Sequence, residues 1–266
     1  MRDQTTEQRF WFSFRYGWIT ETVILNPGKL NSPVYDRIIK KKLKTSLLEP
    51  LLYDDTVDGG REGEIAYETF NAASATVKVT GMSVHPGSSK DTMINAALVA
   101  MEYNSLLPAG DTPRLTEGYE GFFHLHDMKG DVSSAELDYI VRDHSRTTFE
   151  VRKETMRHAA KVINERYGRE VVKLTLVDTY YNMAEKIAPH MELIENAKAA
   201  AKKAGMEPFV EPVRGGTDGC RLSEMGMPTP NICTGGFAYH GKFEHIAMES
   251  MDRCAKMVEY LMTGEV

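Results

Sequence analysis

The alternation of apolar period along residues 70–182 restricts the fold more than any other feature of this chain. In NAASATVKVTGMSV, Val77 and Val79 alternate with Thr76, Lys78 and Thr80, a period of two that predicts a strand. Over Asp91–Leu107, Met93, Ala97, Ala100 and Met101 recur at helical spacing and predict a helix. FFHLHDMKGDVSSAELDYIVRDH then reads as two strands turning near Lys129-Gly130-Asp131. Thr147 and Glu150 have the spacing of a capping box. The helix they open runs to about Tyr167 and stops at Gly168. A last strand, EVVKLTLVD, starts at Glu170. The order β-α-β-β-α-β is that of a ferredoxin-like α+β unit.

The flanks read differently. After Tyr181 the spacing predicts an alanine-rich helix over Ile187–Gly205, closing on a glycine C-cap. A short strand in FVEPV, a helix opening near Thr217 (GCRLSEMG), a strand NICTGG and an amphipathic helix over His245–Thr263 follow. Strands alternating with helices imply an α/β layer. Residues 1–55 carry both tryptophans in FWFSFRYGW, show no clear period and contain no histidine. The expected division is therefore an atypical segment 1–55, an α/β part from 56–69 with 183–266, and the ferredoxin-like unit 70–182.

Composition narrows the function classes. A net charge of −6 argues against general nucleic-acid binding, which needs a clustered basic face. Arg15 and Glu21 interrupt the one apolar stretch near the amino terminus, so no membrane span is expected. Three cysteines without a CxxC pair suit a reducing compartment, and MRDQTTEQ is no secretory signal. A soluble, cytoplasmic protein is expected.

Four residues stand where chemistry is possible. Asp58, before two glycines in TVDGG, has the access a metal ligand needs; the plainer reading is an ordinary Asp-Gly turn. His240 follows Gly235-Gly236, where the backbone can approach another group closely; the plainer reading is a solvated loop histidine. Pro86 restricts His85 to an extended backbone, which aims its ring outward as a donor to an oxyanion or leaves it a polar residue at a hairpin mouth. Arg142 shares a strand face with Asp138 and Ile140, opposite Leu137, Tyr139 and Val141. Its guanidinium suits a substrate carboxylate or a salt bridge across the sheet.

Taken together, TVDGG, NAAS, VHPG, TEGYEGFFHL, YIVRD, YYNM, RGGTDG, PTPN and TGGFAYHGKFE resemble, in order, the peptidase T family of tripeptide aminopeptidases, which are co-catalytic zinc exopeptidases. The resemblance covers about residues 56–263. It implies a zinc-bearing α/β layer, here partial, with an inserted ferredoxin-like lid that makes dimer contacts. It also implies two zinc ions per complete active site, a tripeptide substrate and a homodimer. Asp58 matches a zinc-binding carboxylate and His240 the histidine on the other zinc. His85 matches the lid histidine that stabilises the tetrahedral intermediate, supplied in related enzymes by the partner subunit. Arg142 and Thr217 match positions that contact substrate.

The family pattern also places a His-x-Asp motif, an Asp-Asp-Lys motif and a Glu-Glu pair before TVDGG. Residues 1–55 hold no histidine and no Glu-Glu, and Asp54-Asp55 is followed by Thr56 rather than lysine. On this reading most metal ligands and the general base are missing, residues 1–55 are poorly ordered or improvised, and the chain as given is inactive. The alternative is a non-catalytic dimerising module built on the lid. A related carboxypeptidase or N-acyl-amino-acid deacylase is a further possibility, against which TEGYEGFFHL and YYNM favour the tripeptidase branch.

Overall fold

The structure is a computed structural model, and it describes residues 10–16, 19–25 and 55–266. Phe70–Asn182 form one compact unit; the described residues up to Thr69 and from Met183 form the other.

The Phe70–Asn182 unit is one antiparallel sheet under two helices. Its strands are β5 (Asn71–Thr80), β6 (Phe122–Gly130), β7 (Ser134–Asp143) and β8 (Val172–Tyr180). They pair in the order β6-β7-β5-β8, with every neighbour antiparallel. Helices α1 (Ala96–Ser105) and α2 (Arg146–Arg166) are the two crossovers, so the ferredoxin-like order holds. Strict alternation on β7 buries Leu137, Tyr139 and Val141 and leaves Arg142 on the opposite face. Phe149, Met156 and Ile163 of α2 close the core at helical spacing. Buried hydroxyls are satisfied: Tyr103 donates to the Met156 carbonyl at 3.0 Å and Tyr139 to Asn104 Oδ1 at 3.0 Å. Asn164 fastens the turn into β8, accepting from Val171 N and Val172 N, both at 2.8 Å.

The helix boundaries differ from the sequence expectation, each for a local reason. Helix α1 starts at Ala96, not Asp91, because Asn95 accepts from the N–H groups of Ala97 and Leu98 and so caps it. The Thr147/Glu150 capping box does not form. Ser145 is the cap, accepting from Thr148 N at 3.4 Å. The hydroxyl of Thr148 and the Nε of Arg152 donate to Asp143, at 2.6 and 2.7 Å, which draws the helix start back toward β7. Replacing Asn95 with alanine is expected to destabilise this unit by about 1 kcal/mol, read as a lower urea midpoint at unchanged slope.

The second unit holds a sheet in the order β2-β1-β3-β10-β4-β9. Its members are β1 (Phe10–Tyr16), β2 (Ile19–Leu25), β3 (Thr56–Gly59), β4 (Glu64–Ala66), β9 (Phe209–Val210) and β10 (Asn231–Cys233). The stretch in which the sequence shows no clear period contains the hairpin β1–β2, with one parallel pairing to β3, Trp11 opposite Thr56. Asp54 and the rest of residues 1–55, apart from the two strands and Asp55, lie outside the described residues. The alanine-rich helix begins later than expected. Pro189 separates a short α3 (Ala184–Ile187) from α4 (Glu192–Lys203). The last helix, α6 (Met248–Thr263), also starts late, because His245–Ile246 form β12, paired with β11 (Gly236–Phe237). A short α5 (Asp218–Glu224) precedes β10. Among the described residues no helix is long and apolar enough to cross a membrane.

Candidate functional site

Strands β3 and β10 run parallel, with Thr56 opposite Asn231 and Val57 opposite Ile232. The register slips before Cys233, which faces Gly59. Asp58 stands at that irregularity, exposed, one residue before the strand end. In open α/β sheets the carboxyl ends of parallel strands are where ligands bind, because loops splay apart there. Gly59 is required by packing: a Cβ on it would lie 2.7 Å from the Ile232 carbonyl oxygen.

The loop after β10 folds onto the end of β3. The Gly60 carbonyl accepts from Gly235 N at 3.0 Å and from the Tyr239 hydroxyl at 3.1 Å. The Gly59 carbonyl accepts from Thr234 Oγ1 at 2.9 Å, and the hydroxyls of Thr234 and Tyr239 lie 2.7 Å apart. Tyr239 precedes His240, so this network anchors the segment just before His240 at the end of β3, 182 positions after Asp58 in the chain. Ala238 (φ 56°) and His240 (φ 62°) both have left-handed backbones, rare for residues with a Cβ. Non-glycine strain of this kind gathers at functional loops. The His240 N–H donates to Glu244 Oε2 at 2.8 Å, which holds the loop in shape.

At Gly235 the group approached closely belongs to this same chain. A Cβ there would stand 3.1 Å from Cys254 Sγ and 3.2 Å from Ser250 Cβ. The glycine makes room for helix α6. The helix is tied from the other side by Glu62, which accepts from Ser250 Oγ at 2.7 Å and from Arg253 Nε and Nη2 at 2.6 and 2.7 Å. The hydrogen bond from Arg253 holds the Glu62 carboxyl below its ordinary range. Glu64 accepts from Gly60 N at 3.0 Å, and burial pushes its carboxyl up. Asp55, at the start of β3, is fully buried, and desolvation pushes its carboxyl up to about 7. Sequence reasoning passed over Glu62, Glu64 and Tyr239; the signal was the GREGE run directly after TVDGG.

Thr217 caps α5 with an extended backbone, and its N–H donates to Cys220 Sγ at 3.2 Å. In the other unit, His85 caps a single 3-10 turn, and its Nδ1 accepts from Gly87 N at 3.1 Å. In the neutral ring the proton is then carried on Nε2. Arg142, half-buried on β7, places its guanidinium 6.0 Å from the centre of the Tyr180 ring.

An aspartate and a histidine are suitable donor types, but a catalytic zinc takes about three protein ligands and an open position. Among the described residues no group of three or more His, Cys, Asp or Glu side chains is placed to hold a metal ion. The described residues do not fit a complete two-metal centre.

The family model for the peptidase dimerisation domain matches residues 67–171. Peptidase T of Bacillus subtilis (strain 168) is 50% identical over 203 residues, covering 76% of this chain and 50% of that protein. The chain is a relative of peptidase T. It spans about half the length of the curated peptidase T sequences it matches. Among solved structures, aminopeptidase PepT from Bacillus cereus superposes with a TM-score of 0.68 at 21% identity, over 79% of this chain and 56% of that one. A dinuclear metal-binding peptidase of the M20 family from Bacillus subtilis superposes at 0.60 and 14% identity, over 83% and 59%. At those identities the structures show a shared fold: a mixed α/β body with an inserted α+β domain.

Proposed function

We propose that this chain carries the lid and two of the metal ligands of a zinc-dependent aminopeptidase that releases the amino-terminal residue of tripeptides. The observation that supports it is the convergence of the Asp58 strand end and the His240 loop on the Gly60 carbonyl. In this reading Asp58 and His240 each serve one of two zinc ions, and Arg142 and Thr217 contact the substrate. His85, through Nε2, stabilises the oxyanion of the tetrahedral intermediate in the partner subunit of a cytoplasmic homodimer assembled through the lid. The chain as given is inactive, since one side chain per metal competes poorly with water and cellular chelators. The purified chain, assayed with added zinc and a tripeptide, is expected to release no amino-terminal residue. Turnover that a chelator abolishes would overturn the inactivity.

A second reading has its own support. The Phe70–Asn182 unit has a closed core, and it covers most of the matched dimerisation domain. A metal-free dimer in light scattering, with no hydrolysis, would favour a dimerising module over the enzyme reading.

A further inference from the structure

Outside the Asp58–His240 region proper, the strongest unassigned chemistry is a pair of thiols. Cys233, the last residue of β10, and Cys254, on α6, place their Sγ atoms 3.6 Å apart. Met257 Sδ lies 4.0 Å from Cys233 Sγ. All three cysteines of the chain are free thiols, and Cys220 has no second thiol beside it: its Sγ faces the N–H and hydroxyl of Thr217.

We infer that Cys233 and Cys254 are an oxidation site, closing to a disulfide in response to a hydroperoxide. The geometry is prepared from two sides. Gly235 has no Cβ, so α6 comes close enough for Cys254 to reach the strand end. Glu62 grips Ser250 and Arg253, the residues four and one positions before Cys254, and fixes the rotation of the helix. Disulfide formation then requires the two sulfurs to close from 3.6 Å to a bonded length of about 2.0 Å.

The chemistry balances with the peroxide as oxidant. The Cys233 sulfur attacks one peroxide oxygen, the O–O bond breaks, and a sulfenic acid and hydroxide form. The Cys254 thiol gives up its proton and attacks the sulfenic sulfur; the S–S bond forms as the S–O bond breaks. The departing hydroxides leave as two waters, using the two thiol protons. The hydrogen bond between the two thiols holds Cys233 below its ordinary value, which favours Cys233 as the attacking sulfur. The product joins positions 21 apart and clamps the start of the Thr234–His240 loop to α6.

Low-dose hydrogen peroxide on the purified full chain, followed by alkylation, digestion and mass spectrometry, tests this. Sulfoxide at exposed Met248 reports that the dose was sufficient. The expected result is loss of two of the three alkylatable thiols, one peptide pair linked through Cys233 and Cys254, and full recovery with dithiothreitol. Cys220→Ser should leave that link unchanged. Once Met248 is oxidised, three thiols still alkylatable, unlinked sulfinic or sulfonic acids at both positions, or a link involving Cys220 would overturn the assignment. If Cys254→Ser folds, Cys233 should accumulate a sulfenic acid trapped by a diketone probe; the wild-type map decides the matter if it does not.

Discussion

Replacing Phe149 with alanine is expected to remove about 4 kcal/mol of stability from the Phe70–Asn182 unit. Phe149 has no solvent exposure and lies in the core between helix α2 and the sheet. Deleting its ring forfeits the transfer of apolar surface and leaves a cavity that α2 cannot fill, because Arg152 and Thr148 tie its first turns to Asp143. The Lys153 ammonium, 4.6 Å from the ring centre, also loses its aromatic partner. Amide hydrogen exchange on the full chain resolves the effect by region. Peptides from β5 and β7 should exchange about a thousand-fold faster, with far smaller changes in β3 and β10. Exchange rising equally in both units would mean that the lid has no core of its own.

The second large effect is a fall in stability as pH rises from about 4 to neutrality. Burial raises the Asp55 carboxyl from 3.8 to about 7, so the folded state binds its proton more tightly than the unfolded chain does. Such a group contributes stability in full below its unfolded value and loses that contribution as pH rises through the folded one. At about 1.4 kcal/mol per tenfold change in proton affinity, the loss between pH 4 and above pH 7 is about 4 kcal/mol. Glu64, also raised by burial, acts in the same direction. Glu62 acts in the opposite direction at lower pH. Its carboxyl is held down by Arg253, so its contribution is present above the ordinary carboxylate range and is lost as pH falls through the folded value. The Asp58 unit should therefore be most stable under mildly acidic conditions. Asp55→Asn should flatten the slope between pH 4 and 7; a variant that keeps the wild-type slope in denaturation curves across that range would rule Asp55 out as its source.

The ferredoxin-like unit was readable from sequence because local pattern and tertiary burial agree there. The alternation of β5 and β7 is the alternation of their buried residues, and α2 stops before Gly168 as expected, the glycine taking a left-handed backbone. Helix starts were less readable because side chains from elsewhere decided them. Asp143, on the preceding strand, outweighs the Thr147/Glu150 spacing, and Asn95 overrides the apolar period that begins at Asp91. The site itself divides in the same way. Asp58 and His240 look ordinary in composition and spacing, and only the ordered motifs around them single them out. The Glu62 clamp on Ser250 and Arg253 spans 188 and 191 positions, so no local pattern announces it. The closeness of Cys233 and Cys254 depends on Gly235, whose role follows from what lies beside it in space.

The central proposal is that the end of β3 and the loop after β10 each present one side chain, Asp58 and His240, that binds a divalent cation weakly. Manganese(II) titrated into isotopically labelled full-length chain, followed by amide resonance broadening, tests it most directly. The account predicts early broadening confined to Gly59–Gly60 and Thr234–Gly241, lost when Asp58→Asn and His240→Ala are combined. Broadening centred elsewhere, or unchanged in that double variant, would contradict it.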